Sequence, residues 1–547
     1  MHARVFESEG RQSSITRMLA CWTVAALAAG AWQAAVAASP VADAASTGDL
    51  DRVRELISSG DDVNVPQGDG STALLWAVYE SHPEMVAALI DAGADPNAAN
   101  EFGIAPLLQA SRSGDATVVR ALLEAGADIA VTSPNGETAL MAAARSGSVE
   151  AVSLLLKHGS DPNAAESLWE QTALMWAAVE GHAGVVDVLL NAGADPNMQA
   201  RVSELEKRTT RTDFPSGGFT ALMWAARNGD ETIVRRLVEG GADIDLTNAD
   251  GATAMMIALV NDRFDFAAML LELGADPDDG SLYQAVLMHD ATTDWLAKDG
   301  TQWRADHPNE LTALDLTRVL LDAGADPNKP FVGQLHSTSM CCDTKENATP
   351  LFRAAVAADV EALKLLIEHG GDVQWSPEAA EEEPGADGPP GGGNASKTPL
   401  MVAMNGGRGV GMAGGPGDIR EGRAPPFREE ANREPVDAVK LLLEAGADPD
   451  ALTSDGEAAL HMAAKDGKLD IVRVLAEGGA TLDIVDGEGK TSLEIVEAMP
   501  PREPPPLTGA QAGRPQGAQP AEVAALLREL MGLESAPQAN LQEGAQQ

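Results

Sequence analysis

One short run of the chain carries the residue types of a metal or redox centre: His336, Cys341, Cys342 and Asp343. Imidazole, thiolate and carboxylate are ligands that zinc and copper accept, but adjacent cysteines rarely satisfy one tetrahedral ion, and no Cys-x-x-Cys pair supports them. Neighbouring cysteines can join each other only through a strained ring, so the run is expected to be a loop with exposed thiols, holding no metal and no other cofactor. A metal- or thiol-dependent enzyme or redox protein built on this stretch is the alternative. Of the nine histidines, His82, His182, His158, His369 and His461 recur at fixed places in a repeating pattern. His289, His307 and His336 fall in irregular stretches, and His2 lies near the start. The sequence has no Walker loop, no nucleophile elbow and no haem-attachment motif. Gly406-Gly-Arg-Gly-Val-Gly411 has no strand before it to make it a phosphate cradle. No catalytic residue is assigned.

The elements that would have to position any chemistry are repeats. A Gly-Ala-Asp-like element recurs at Gly60, Gly93, Gly126, Gly159, Gly193, Gly241, Gly274, Gly324, Gly370, Gly446 and Gly479, with successive spacings of 33, 33, 33, 34, 48, 33, 50, 46, 76 and 33. A base period of 33 with occasional enlargement marks stacked units carrying insertions. Residues 136–159 show how one unit is built. Thr138 opens a first short helix with an apolar face at Leu140, Ala143 and Ala144, Gly147 breaks it, and Val149, Val152 and Leu154 to Leu156 supply the second. Gly159 ends that helix and Asp161-Pro-Asn163 begins the turn to the next unit. Neither helix is long enough to stand alone, so stacking on neighbours must supply the stability.

These units resemble the ankyrin-repeat family. The family's Thr-Pro-Leu-His opening stands here as Thr72-Ala-Leu-Leu, Thr138-Ala-Leu-Met, Thr172-Ala-Leu-Met, Thr220-Ala-Leu-Met, Thr253-Ala-Met-Met, Thr349-Pro-Leu-Phe and Thr398-Pro-Leu-Met, and only Ala458-Ala-Leu-His461 keeps the histidine. The missing histidines remove the family's usual hydrogen-bonded bridge, and methionine packing is expected in its place. The resemblance, closest to exported bacterial members, implies an all-α solenoid of about twelve units over residues 39–498. Insertions are expected at 199–217, 282–310, 330–346 and 374–433, the last with a helix embedded at Thr398 to Met404. A Pro-rich linker at 499–520, a terminal helix at 521–532 and a disordered Gln- and Ala-rich tail at 533–547 complete the layout.

The resemblance also implies a binding face, because partners of such proteins meet the hairpin tips and the inner helices. The corresponding positions here carry Tyr79, Arg112, Arg145, Glu180 and Arg227 after the first helix's apolar run, and Phe102, Trp169 and Phe219 at the tips. These eight are the candidate partner-binding residues, since arginine and aromatics are enriched at binding hot spots. Arginine can equally pair with neighbouring carboxylates such as Glu180 on a solvated face. Trp76, Trp176 and Trp224 share one position of the first helix, a position that is often half-buried, and are read as core packing rather than ligand contact. A protein partner held by a monomeric binding module is the leading expectation. A small-molecule or cell-wall-polymer binder using the same groove is a further alternative.

Charge narrows the partner. The chain has 547 residues, 83 acidic against 38 basic, for a formal net charge of −45. Phosphate contacts need a net basic face, so neither nucleic acid nor an anionic membrane surface is expected as partner. The first 38 residues place Arg4, Arg11 and Arg17 before an apolar run from Met18 to Ala31 and end in Ala35-Val36-Ala37. That is the layout of a secretory signal peptide, too short in its apolar part for a comfortable membrane span, with a retained anchor as the alternative. A periplasmic or secreted protein with no membrane span in its mature chain follows. N-terminal sequencing of protein recovered outside the cytoplasm should read from near Ala38 or Ser39, and an intact Met1 there would sink the assignment.

Overall fold

The computed structural model describes residues 39–203, 216–249, 251–290, 309–331, 348–377, 396–405, 434–502 and 517–533. The expected signal segment, the cluster at His336 to Asp343, His307 and the C-terminal tail lie outside the described residues. The chain divides into two compact units, the first holding residues 39–203 and 217–243 and the second beginning at Ile244.

Helices of the first unit run in pairs: α1 (Pro40–Ser46) with α2 (Leu50–Ser59), α3 (Ala73–Tyr79) with α4 (Pro83–Asp91), α5 (Pro106–Ser113) with α6 (Ala116–Glu124), α7 (Ala139–Ser146) with α8 (Val149–Lys157), α9 (Ala173–Val179) with α10 (Ala183–Asn191), and α11 (Ala221–Asn228) with α12 (Glu231–Glu239). Two two-residue strands, β1 (Val202–Ser203) and β2 (Ser216–Gly217), flank residues 204–215. In the second unit the pairs are α13 (Ala254–Val260) with α14 (Phe264–Glu272), α15 (Ser281–Asp290) with α16 (Ala313–Asp322), α17 (Pro350–Ala357) with α18 (Val360–Glu368), α19 (Pro399–Ala403) with α20 (Pro435–Glu444), α21 (Ala459–Asp466) with α22 (Leu469–Glu477), and α23 (Ser492–Ala498) with α24 (Pro520–Leu530). The fold is an all-helical repeat stack, with twelve helix pairs among the described residues.

The small side chains explain the first helices. All of Ala139 to Ala144 in α7 are buried, and Val152 and Leu155 of α8 close the core behind them. Alanine lets neighbouring first helices approach closely, and the repeat gains stability from this shared burial rather than from its own length. Thr138 caps α7 by accepting the Met141 amide at 3.2 Å, and the Met141 sulfur accepts the Thr138 amide at 3.4 Å. Met223 does the same for Thr220 at 3.5 Å. His461 does more: Nδ1 accepts the Ala458 amide at 3.1 Å while Nε2 meets the Lys490 carbonyl of the next finger at 3.2 Å. Methionine therefore replaces the local half of the histidine bridge and leaves the long-range half unmade, because a thioether has no hydrogen to donate to a carbonyl.

Consecutive repeats are clamped through one side-chain amide. Asn64 Nδ2 donates to the Gly93 carbonyl at 3.0 Å while its Oδ1 accepts the Asp95 amide at 2.7 Å. Asn97, Asn163 and Asn197 repeat the pattern in the first unit, and Asn328 and Gln374 in the second.

One expected boundary moves. The insertion placed at 282–310 begins instead after Asp290, because Ser281–Asp290 is the first helix of its repeat, with Leu282, Tyr283, Ala285, Val286 and Met288 buried. Its finger is shortened to residues 273–280 and lacks the threonine opening, so the helix carries no sequence signal of the usual kind. His289, placed in that irregular stretch, sits on this helix with Nδ1 bonded to the buried Asp359, which itself caps α18.

The clamp makes a direct prediction. Asn163→Ala removes one donor and one acceptor and should cost about 1–2 kcal/mol in urea unfolding. Asn163→Asp keeps the acceptor and should cost less than half as much. Equal losses, or none, would show that the clamp does not hold the repeats.

Candidate partner-binding face

Gly147 shows how closely the face is built. It closes α7 in the left-handed conformation (φ +78°), and an added Cβ would meet the His182 ring at 2.6 Å. His182 Nε2 also meets the Arg145 carbonyl at 3.1 Å, so the end of α7 is tied to the next repeat and Arg145 is aimed across it. The Arg145 guanidinium lies 4.9 Å from the Trp176 ring centroid, with Nε 3.8 Å from Glu180.

The other arginines are also engaged. Arg112 reaches the finger of the next repeat, where both Nε (3.2 Å) and Nη2 (2.5 Å) donate to one oxygen of Glu137. Glu137 is largely covered, its side chain 13% exposed. Arg227 stacks 5.4 Å from Trp224, whose ring also meets Phe219 at 4.9 Å. Trp76, Trp176 and Trp224 are thus half-buried platforms rather than sealed core. The half-burial agrees with the sequence reading, which missed only the arginine stacking, although tryptophan at the fourth helical position combined with arginine at the seventh, three residues on or one repeat before, was a visible signal.

Tyr79, Phe102 and Trp169 stand out from the surface, whereas Phe219, expected as an exposed tip aromatic, is half-buried against Trp224. Tyr79 is 59% exposed, Phe102 66%, Leu168 53% and Trp169 52%. Tyr79 packs edge-on against Trp76 with centroids 5.9 Å apart. Trp169 sits on a tip one residue longer than the two before it, and Glu166, itself buried, organises it by accepting the Leu168 and Trp169 amides at 2.6 Å each and the Gln171 amide at 3.3 Å. Glu170 occupies the left-handed turn position (φ +56°) that Gly103 and Gly136 fill at the neighbouring tips. Its carboxylate pairs with Arg201 at 2.8 Å, and the Arg201 amide donates to the Trp169 carbonyl at 2.7 Å, so the next finger braces the tip. The structure therefore joins Tyr79 to Trp76, Arg112 to Glu137, Arg145 to Glu180 and Trp176, and Arg227 to Trp224 and Phe219. Phe102 and Trp169 stand on separate tips.

The second unit holds a separate cavity of about 380 Å³ beside its shortened finger. Its walls include Asp279, Tyr283, Lys329 and Phe331, with the Tyr283 and Phe331 rings stacked 5.1 Å apart. Asp279 accepts the Thr253 hydroxyl and the Ser281 amide, the latter at 2.7 Å. Burial nonetheless holds its carboxyl above the usual carboxylate range, with the nearby Asp276 adding to the effect. Among the described residues no three His, Cys, Asp or Glu side chains are grouped to hold a metal ion, and no helix is long and apolar enough to cross a membrane.

An acid with a raised folded-state pKa binds its proton more readily in the native chain than in the unfolded one. Its contribution to stability therefore falls as pH rises through the folded value. Asp279→Asn keeps an acceptor for the Ser281 amide and removes the charge. Denaturation midpoints should show this variant gaining on the wild type as pH rises above the ordinary carboxylate range. A difference that stays flat over that rise would refute the assignment.

The family description "Ankyrin repeats (3 copies)" matches residues 41–133, 107–200, 204–280 and 430–496. None of the curated proteins compared matches the chain. Among solved structures, the ankyrin repeat domain of Bcl-3, described as a unique member of the IkappaB protein family, is 28% identical over 43% of this chain and 98% of that one, with a TM-score of 0.35. The human ASB11 ankyrin repeat domain is 27% identical over 40% of this chain and 92% of that one, with a TM-score of 0.33. The family match spans more than half of the chain and coincides with its helix pairs: the chain belongs to the ankyrin-repeat family.

Proposed function

We propose that this chain is an exported, non-enzymatic binding scaffold that holds a protein partner on the first-helix face and finger tips of its first unit. Ankyrin repeats generally mediate protein–protein interaction, which supplies the class of function. The observation that carries the assignment to this face is the exposure of Tyr79, Phe102, Leu168 and Trp169, four large apolar side chains on well-braced supports. Exposed aromatics on rigid mounts lose little conformational entropy on binding and are typical anchors. The arginines play a second part. Arg112 and Arg145 are held by Glu137 and Glu180, so they shape the face and keep acidic side chains beside the anchors. Export to the periplasm or the medium, as a monomer, completes the reading, and the layout of the first 38 residues supports the export.

Partner capture from an envelope extract tests it. Phe102→Ala combined with Trp169→Ala should weaken capture by about 2 kcal/mol or more, roughly 30-fold, with little change in melting temperature because both side chains are more than half exposed. Lys157→Ala, on the second-helix side, should leave capture unchanged. Equal effects from the two sets would remove the face from consideration. Arg112→Glu is a poor probe of binding, since it strands the covered Glu137 and should lower stability as well.

A further inference from the structure

Tryptophan fills the fourth position of a first helix three times in the first unit, and twice the chain lays its own guanidinium on the ring. The cation comes from a seventh helical position: Arg145 of the preceding repeat for Trp176, and Arg227 of the same helix for Trp224. At Trp76 those two positions hold Ser46 and Tyr79. The Ser46 hydroxyl turns back to the Asp43 carbonyl at 2.8 Å, and Tyr79 meets the indole edge-on at an interplanar angle of 83°. Neither can supply a cation.

The Trp76 ring is nonetheless fixed as firmly as a platform requires. Its Nε1 donates to Gln67 Oε1 at 2.8 Å, and Gln67 Nε2 donates to Asp43 Oδ1 at 2.7 Å. Glu80 follows Tyr79, exposed at the end of the helix, and Ser81 then takes the left-handed conformation (φ +51°) that glycine fills at Gly114 and Gly147. The surroundings are acidic: residues 39–114 contain twelve Asp and Glu but only Arg52, Arg54 and Arg112 as bases. Two of those three are already paired, Arg52 with Glu55 and Arg112 with Glu137.

We propose that the corner formed by Trp76 and Tyr79, with the carboxylates of Asp43 and Glu80, receives an arginine side chain from a basic segment of the protein partner. This rests on the protein-binding reading and names the chemistry of the partner. The molecule itself supplies the precedent, since the same indole in two later repeats is covered by a guanidinium. Arginine fits better than lysine because its planar, weakly hydrated guanidinium stacks on an indole while its edge donates to carboxylates. A segment of opposite charge is also drawn towards the acidic first repeats before contact.

The test uses the full chain carrying 5-fluorotryptophan, with the Trp76 fluorine signal assigned through Trp76→Phe. The probes are an acetylated, amidated arginine-glycine-arginine peptide, its lysine counterpart, and its citrulline counterpart, in which the guanidinium becomes a neutral urea. The arginine peptide should shift the Trp76 signal in a saturable, salt-sensitive manner. Binding should be several-fold weaker for the lysine peptide and at least about tenfold weaker for the citrulline peptide. The Trp176 and Trp224 signals, already covered, should move less. Ser46→Arg places a cation where Arg145 stands relative to Trp176 and should reduce peptide affinity about tenfold while circular dichroism and melting temperature hold. No shift up to about 10 mM peptide, equal binding of the citrulline form, equal shifts at all three tryptophans, or full affinity in Ser46→Arg would each overturn the proposal. Failure here leaves capture through Phe102 and Trp169 standing, whereas loss of that capture effect alone leaves the arginine site standing, so the two readings fail separately.

Discussion

Six joints between described repeats are fastened by a side chain that acts as donor and acceptor at once. The amide of Asn64, Asn97, Asn163 or Asn197 gives a proton to the carbonyl of a helix-ending glycine one repeat on and takes one from the amide two residues later. This pair of bonds fixes both the spacing of successive repeats and the direction in which each finger leaves. Gln374 extends the reach by one methylene and makes the same two bonds to Gly446 and Asp448, more than seventy residues away. Long insertions can therefore sit between clamped repeats, because the entropy of closing a loop grows only slowly with its length. Where aspartate replaces the amide, at Asp245, Asp278 and Asp450, the acceptor bonds to the amides of Asp276, Asp326 and Thr481 survive at 2.8, 2.7 and 2.8 Å. Asp245 and Asp278 flank the shortened finger and the cavity of the second unit.

The repeat period, the helix pairs and their caps were legible because each is written in local residue types: threonine before the first helix, glycine after the second, alanine in between. Ser281–Asp290 was not legible as a helix start, since its finger is cut short and its opening threonine is gone. The face was legible only in part. Tyr79, Phe102 and Trp169 were recognisable as exposed aromatics from their place in the unit, but the partner of Arg112 lies twenty-five residues away and is chosen by stacking geometry. Likewise the half-buried position of the three tryptophans was legible, but the arginine that covers Trp176 comes from the preceding repeat and is set by stacking geometry. The methionine openings were read correctly as packing replacements, and the surviving hydrogen bond to sulfur adds what composition could not show.

A charge of −45 would oppose compaction if every carboxylate were merely solvated. Many are not. Asp49, Asp115, Asp230 and Asp359 cap second helices, where the unpaired amides and the positive end of the helix dipole favour an anion. Others accept turn amides two residues on, as Asp95, Asp161 and Asp195 do at 2.9 Å. The acidic residues thus serve the backbone, and the scarcer arginines, in Arg112, Arg120 and Arg201, bridge one repeat to the next. Among the described residues, several basic side chains serve to hold one repeat to the next.

That commitment has a functional side. A surface whose own cations are committed to internal carboxylates and indoles presents its remaining acids and aromatics outward, as around Trp76, where residues 61–93 carry no lysine or arginine. Trp76, Trp176 and Trp224 show the same position used in two ways: with an arginine in reach the ring becomes a strut between residues of the stack, and without one it becomes an open platform. On the arginine-site proposal, an arginine at the seventh helical position would convert one into the other, and that position belongs to neither the clamp nor the caps. The division lets a repeat stack alter what it binds while the interactions that keep its repeats in register stay fixed.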